Sequence, residues 1–358
     1  MASPSGAEGP VAEAFVAALA PHADEAFRDE VGNAVAVVGN GPLRITLLAH
    51  LDTVPGWPPV RAEGDVLHGR GAVDAKGPAV ALAAAAARLG AGERAALQVR
   101  FIGAVGEEAP HSRGARHARV AYPRPDALVV GEPSGWDGVT LGYKGHARML
   151  LRSERAAGHA ARDDEGACGA LVAAWCDLRA WAAAAAPAAP GRAFERLQAT
   201  LLALGSDHDG LRDRAWADVD WRLPPGWPPD RLRAAVERVR LPPGVAWEMR
   251  GAASAVRSER DGRLARAFRV AIRAAGGRPA VRVKTGTSDW NVVATAWPVD
   301  AVAYGPGDAA LDHTPDERID LRDLDRSVRV LAHALAALAA DGAPRTAPRA
   351  GTQRPESS

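Results

Sequence analysis

LRITLLAHLD, Leu43 to Asp52, decides how this chain is read. An apolar, strand-like run from Leu43 to Ala49 stops at His50, with a carboxylate two residues on. A strand without polar alternation is what a parallel sheet covered on both faces requires. The arrangement returns twice. LQVRFIGAV (97–105) stops at Gly106-Glu107-Glu108, and ALVV (127–130) stops at Gly131-Glu132-Pro133. Between them, GRGAVDAKG (69–77) sets Asp74 in a glycine-rich turn. An alanine-rich helix follows from Pro78 to Leu89, with proline suited to its first turn. Strands alternating with helices predict an α/β fold with a mainly parallel sheet.

Outward from this core, Val11 to Ala20 reads as a short amphipathic helix. From Gly145 the pattern changes. Arg148–Arg152 is strand-like, Asp163–Ala186 a long Ala/Trp-rich helix, Trp216–Leu223 an alternating strand, and Arg231–Arg240 an amphipathic helix. An inserted α+β unit of the ferredoxin-like β-α-β-β-α-β type fits residues 145–252. It divides a first domain into 1–144 and 253–342. The second part carries a helix over Leu264–Ala275, a strand over Ala301–Tyr304 and a closing helix over Leu324–Ala340. The Pro/Arg/Ser-rich tail 343–358 reads as disordered.

The 358 residues carry 44 basic and 43 acidic side chains, a formal net charge of +1. That balance argues against nucleic-acid or membrane-surface partners, which reward a basic excess. The longest purely apolar stretch, Pro78–Ala87, is far short of the ~20 residues of a spanning helix. No basic segment precedes an apolar run near Met1, and Cys168 and Cys176 cannot form a disulfide framework. A cytoplasmic enzyme is the expectation. Lysine occurs three times, as Lys76, Lys144 and Lys284, while arginine is abundant. Each lysine lies in a glycine-rich motif, where a compact point charge can serve and a planar fork will not fit.

His50, Asp52, Asp74, Glu107, Glu108 and Glu132 each follow an apolar strand or sit in a glycine-rich loop. His313 follows a later strand in YGPGDAALDHTP (304–315). Ligands of open α/β sheets bind beyond the carboxyl ends of strands, so these residues can converge on one edge. Imidazole and carboxylate ligands without thiolates suit Zn²⁺, Co²⁺ or Mn²⁺. Adjacent side chains at a strand end point in opposite directions. One of Glu107 and Glu108 can therefore bind metal while the other faces substrate and takes a proton from water. Asp52 is spaced to orient the His50 imidazole. His117, His146, His208 and His333 have no comparable setting and read as structural.

LLAHLDTVPG, GRGAVDAKGP, GEE, GEPS and YGPGDAALDHTPDE, in this order, resemble the dinuclear metallo-aminoacylases and carboxypeptidases, a family that includes acetylornithine deacetylase and succinyl-diaminopimelate desuccinylase. GEPSGWDGVTLGYKG (131–145) and KTGTSDWN (284–291) are most similar to the branch of LysW-lysine/LysW-ornithine hydrolases. The resemblance implies a metallohydrolase catalytic domain with an inserted lid and dimerisation domain. It implies two divalent ions, Zn²⁺ or Co²⁺, held by His50, Asp74, Glu108, Glu132 and His313, with Asp74 bridging. Glu107 would be the general base and Asp52 would orient His50. His159, in AGHA (157–160), would be a lid histidine that reaches the site of a second subunit and stabilises the oxyanion. Arg222 matches a recurrent lid-strand position. Gly286, Thr287 and Ser288 lie where relatives contact substrate, while Trp290 departs from the smaller residue expected there.

The implied reaction is release of lysine or ornithine from the γ-carboxyl of the C-terminal glutamate of the small carrier protein LysW, by a homodimer. Asp289 is a candidate for the substrate ammonium, and Lys144 and Lys284 for a carboxylate. The alternatives are a deacetylase or dipeptidase of the same family and, in another class, a non-catalytic amino-acid- or carrier-binding protein. That last reading predicts loss of Glu107 or of a ligand, and none is missing.

Overall fold

A computed structural model of the chain describes residues 1–159, 161, 165–185 and 192–342. The first part contains α1 (Gly9–Leu19), β1 (Glu25–Arg28), β2 (Ala34–Val38), β3 (Leu43–His50), β4 (Arg61–Glu63), β5 (Val66–His68), α2 (Lys76–Ala87), α3 (Ala91–Ala96), β6 (Leu97–Ala104), α4 (Arg113–Ala121), β7 (Ala127–Val130) and β8 (Gly138–Tyr143). Next come β9 (Gly145–Ala156), α5 (Gly166–Ala185), β10 (Gln198–His208), β11 (Arg212–Leu223), α6 (Pro229–Val236) and β12 (Val245–Ala253). The chain ends with β13 (Val256–Arg257), α7 (Arg263–Ala274), β14 (Ala280–Lys284), α8 (Asp289–Val293), β15 (Asp300–Ala303), β16 (Arg318–Asp320) and α9 (Leu321–Gly342). The tail read as disordered, 343–358, lies outside the described residues, as do Ala160, Asp163 and Ala186 of the segments named above.

The main sheet has the order β1-β2-β6-β3-β7-β15-β8-β13, with β14 on β8. Its centre, β6-β3-β7-β15, is parallel throughout, and the antiparallel pairs lie outside it. Alternation sends Ile45, Leu47, Val99, Phe101 and Val129 to one face, packed under α1, α2, α7 and α9. Leu48, Ile102, Leu128 and Val130 go to the other, under α4 and α8. Both faces are therefore dry, which is why these strands are apolar without interruption.

Residues Gly145 to Ala253 form a separate antiparallel sheet of order β10-β11-β9-β12. Helix α5 lies between β9 and β10 in sequence and α6 between β11 and β12, the ferredoxin-like connectivity. This lid has its own core. Trp221 is fully buried, and its ring meets the edge of Trp181 at 6.1 Å, which in turn meets Trp227 at 5.9 Å. Aromatic pairs in this geometry add to the burial of their area. Trp221→Ala should therefore cost about 3–5 kcal/mol of lid stability. Denaturant unfolding followed by near-ultraviolet circular dichroism reads this directly, and a loss under about 1 kcal/mol would deny Trp221 that role.

Candidate metal centre

Parallel strands in register bring their ends level. His50 closes β3 opposite Ala104, the last residue of β6, and Val130 at the end of β7 pairs with Leu48. Neighbouring strands lie about 4.8 Å apart. The residues that follow them, Glu107 and Glu108 after β6 and Glu132 after β7, therefore flank His50 on one edge of the sheet. Asp74 comes in on the glycine-rich turn before α2. His313 comes from the loop after β15, with its backbone in the left-handed region at φ 62°.

Asp74 is the junction. Its Oδ1 lies 3.1 Å from His50 Nε2 and its Oδ2 lies 2.8 Å from His313 Nε2. The same His313 nitrogen lies 2.8 Å from Glu108 Oε1. His50, Asp74 and Glu108 each offer a ligand atom within 4.8 Å of the others. His50 Nδ1 lies 2.9 Å from the Asp52 backbone carbonyl. A carbonyl only accepts, so Nδ1 carries a proton. In the metal-free protein Nε2 donates to Asp74, and it is the nitrogen that becomes a ligand once that proton leaves.

Asp52 is fully buried and holds the opposite side of the centre. Its Oδ1 accepts from Glu107 N and its Oδ2 from Glu108 N, both at 2.9 Å, and Oδ2 also accepts from Ser5 Oγ at 2.7 Å. The Asp74 turn is held by Glu317, 1% exposed, whose Oε1 accepts from Val73 N (2.9 Å) and Asp74 N (3.1 Å). Its Oε2 pairs with Arg70 at 2.7 Å. Sequence reading missed Ser5 and Glu317. The only signal was the glutamate of HTPDE, immediately before a strand too short to show a pattern.

A cleft of about 480 Å³ opens here, lined by His50, Asp74, Glu107, Glu108, Glu132 and His313 together with Tyr143, Lys284, Gly286, Thr287 and Asp312. The polar atoms Tyr143 Oη and Asp312 Oδ1 are buried with no hydrogen-bond partner. Buried orphans of this kind call for an absent ligand. The donor set is nitrogen and oxygen only, with a carboxylate whose two oxygens face two different imidazoles. These residues fit divalent metal ions.

Charge crowding is written into the proton affinities. Removal from water, then Asp289 and the other nearby carboxylates, pushes Glu107 well above the usual carboxyl range. Burial, then Asp74, raises Glu132 to about 7, and the same two causes raise Asp312 to about 7. Burial opposes ionisation of Asp74, yet hydrogen bonds from His313 and His50 hold it far below its usual value. Hydrogen bonds to Asp74 and Glu108 raise His313 to about 10. Burial works against a charged His50, but Asp52 and Asp74 outweigh it and raise that group as well.

The other sequence candidates are placed differently. Lys284 lines the cleft, its ammonium 5.8 Å from the centre of the Tyr143 ring. Ser288 and Arg222 line a groove continuous with it at Glu107, Glu108 and Thr287, where His146 also sits. Arg222 pairs with Asp220 at 2.8 Å. Lys144 is corrected. It is fully buried away from the cleft, and its ammonium donates to Ala193 O, Arg196 O and Gln198 Oε1, so no donor is left for a substrate. Asp289 is 2% exposed and lines neither cleft nor groove, and burial beside Asp52 and Glu132 raises it to about 8. Trp290 packs edge-on against Tyr143 inside the core. His159 is exposed at the end of the lid, its Nδ1 accepting from Ala161 N.

The family model described as peptidase family M20/M25/M40 matches residues 46–337, and the chain belongs to that family. Its fold has close neighbours among solved structures. An aminopeptidase PepT from Bacillus cereus superposes with a TM-score of 0.76 at 15% identity, covering 95% of each chain. A Bacillus subtilis protein described as a dinuclear metal binding peptidase gives 0.67 at 12% identity, covering 94% of each. In sequence, the chain is 49% identical to a LysW-lysine hydrolase of Deinococcus radiodurans over 93% of both proteins. It is 25% identical to a LysW-lysine/LysW-ornithine hydrolase of Sulfurisphaera tokodaii, over 78% of this chain and 77% of that protein. Among the described residues no helix is long and apolar enough to cross a membrane.

The proton affinities make a prediction for the metal-free protein. Glu132, Asp289, Asp312 and His313 all bind protons more tightly folded than unfolded. Burial lowers Lys76 and Lys144 to about 8 and opposes this effect above that pH. The folded chain therefore carries extra protons from about pH 4 to about pH 8, and its stability falls as pH rises through that window. The melting temperature of chelated protein should drop from about pH 6 to about pH 8. Metal titration near neutral pH should release protons, seen as a calorimetric heat that depends on the buffer. A melting temperature that rises over that range would contradict the reading.

Proposed function

We propose that the protein is a metal-dependent amide hydrolase that frees lysine, or ornithine, from the γ-carboxyl of the C-terminal glutamate of the carrier protein LysW. The observation that carries this reading is one carboxylate, Asp74, facing His50 and His313 beside Glu107, in a chain 49% identical to a LysW-lysine hydrolase. That relative favours lysine as the released amino acid. His50, Asp74 and Glu132 would hold one divalent ion, and Asp74, Glu108 and His313 would hold a second. Zinc or cobalt suits this nitrogen and oxygen set. When bound, such ions act as Lewis acids that make water acidic and polarise a carbonyl.

The chain's own groups do the rest. Glu107, kept basic by crowding and recessed in the cleft, takes the proton of the attacking water and returns it to the leaving α-amine. Its neighbour Glu108 points the other way, to His313. Asp52 fixes both backbone amides and the His50 tautomer. Gly286, Thr287, Ser288, Lys284 and Arg222 contact the two arms of the substrate. His159, exposed on its own lid, serves the site of a second subunit. The lid supports a homodimer in another respect: β10 is an edge strand that exposes Leu202 and Leu204. Cys168 and Cys176, both exposed and unpaired, suit a reducing cytoplasm.

Glu107→Gln should keep the metal content of the parent and lower kcat about 10²–10⁴-fold on LysW-linked lysine. A variant at near parental rate would remove Glu107 from this role. His159→Ala should lose about 10²–10³-fold. Mixing it with Glu107→Gln should restore activity, since one site of the mixed dimer then has both groups. Mixtures as inactive as either variant alone would place the histidine's action elsewhere.

A further inference from the structure

The lid is joined to the rest of the chain by two crossings, one at Lys144 between β8 and β9 and one at Ser254 between β12 and β13. The crossings touch. A Cβ on Gly145 would lie 2.3 Å from Ala253 O and 2.8 Å from the carbonyl carbon of Ser254, so only glycine allows this approach. Asn291, 3% exposed, is wedged against them. Its Nδ2 donates to Lys144 O at 3.0 Å and to Ser254 O at 2.9 Å, across 147 and 37 residues of sequence. Its Oδ1 accepts from Ser288 N at 2.9 Å. Two carbonyls can only accept and an N–H can only donate, so the orientation of this amide is fixed by its partners.

Ser288 ends the loop that carries Lys284, Gly286 and Thr287 into the cleft wall. The first crossing is tied to the start of the same loop, because Lys144 N donates to Lys284 O at 3.1 Å. The geometry points to Asn291 as a hinge pin, a positioning residue that couples the cleft loop 284–288 to the angle of the lid. Through its three hydrogen bonds a shift of Ser288 moves both crossings together. Buried and fully used, the amide cannot follow one partner without abandoning another, at the cost of an orphaned carbonyl. The lever is long. Strand β9 runs twelve residues from the hinge, about 40 Å at a strand's rise, so about five degrees at the crossings moves its far end by about 3 Å. That end carries His159.

Asn291→Asp separates this role from simple helix capping. It keeps an oxygen for Ser288 N but turns a second oxygen toward two carbonyls, undoing the pin and sparing the cap. In protein carrying Cys168→Ser and Val120→Cys, dyes on Cys176 of the lid and on position 120 report the lid angle by single-molecule energy transfer. Both attachment points are exposed. Asn291→Asp should broaden or shift the distance distribution of the ligand-free protein. It should lower kcat about tenfold more than it raises KM, with parental metal content. A parental distribution in the folded variant overturns the proposal, whatever its melting temperature. If Asn291→Asp does not fold, Asn291→Ser, smaller and uncharged, takes the same test with the same two outcomes. The distance measurement needs no substrate, so an inactive parent protein would sink the proposed function and leave this comparison standing.

Discussion

The centre depends on how one carboxylate, Asp74, is shared. Its two oxygens face His50, at the end of β3, and His313, in a loop 263 residues further along the chain. Around it the chain gathers Glu107, Glu108, Glu132 and Asp312 in one recess. Such a cluster repels itself, and the chain answers with two imidazolium partners and with retained protons. That arrangement is a stand-in for cations. Each proton now held by His313 or Glu132 occupies an atom that a divalent ion would use, so loading the site and expelling protons are one event. A cluster whose charge is balanced only by protons is stable in the acid direction and becomes usable when metal replaces them.

What keeps these acids facing one another is the backbone rather than the acids themselves. Asp52 spends both oxygens on Glu107 N, Glu108 N and Ser5 Oγ. Neither glutamate can then turn without breaking a charge-assisted bond. Glu317 does the equivalent for Val73 and Asp74, and its own charge is met by Arg70. Two carboxylates outside the cleft wall thus hold the turns carrying three that line it. The parallel sheet supplies the coarse placement, level strand ends about 4.8 Å apart. The buried carboxylates refine it to hydrogen-bond precision.

Legibility in the sequence followed this division. Residues placed by strands could be read, because an uninterrupted apolar run that stops at His50, Glu107 or Glu132 announces a buried strand and marks its end. The order of β6, β3 and β7 then brings those ends together. The inserted unit has comparable signals in the sequence, the long helix α5 and the alternating strand β11. Residues that act through hydrogen bonds to distant parts of the chain could not. Ser5, Glu317 and Asn291 find their partners 47, 244 and 147 positions away, and no local periodicity encodes that. Strands β4, β5 and β16, three residues each, are held by pairing rather than by pattern. The burial of Asp289 was not legible either, because a polar residue in a glycine-rich loop looks exposed until the fold covers it.

Lys144 shows how a sound premise reached the wrong place. In a chain that uses arginine almost everywhere, a lysine does mark a site where a fork will not fit. The cleft was the expected site. The actual one is the hinge, where a single ammonium points three donors at Ala193 O, Arg196 O and Gln198 Oε1. None of these partners is an anion. Burial lowers its proton affinity to about 8, so this cation is kept by convergent carbonyl dipoles alone. A guanidinium would need a plane of acceptors, and three acceptors converging on one buried point leave no room for its second nitrogen. The lysine therefore fastens the first residues of the lid to the segment 193–198 that leads into β10. Asn291, one residue's width away on the Lys144 carbonyl, fastens the same point to the cleft loop. Lid and cleft meet through one residue whose side chain belongs to one and whose backbone belongs to the other. That is why a charge whose backbone is bonded to the cleft loop does not itself line the cleft.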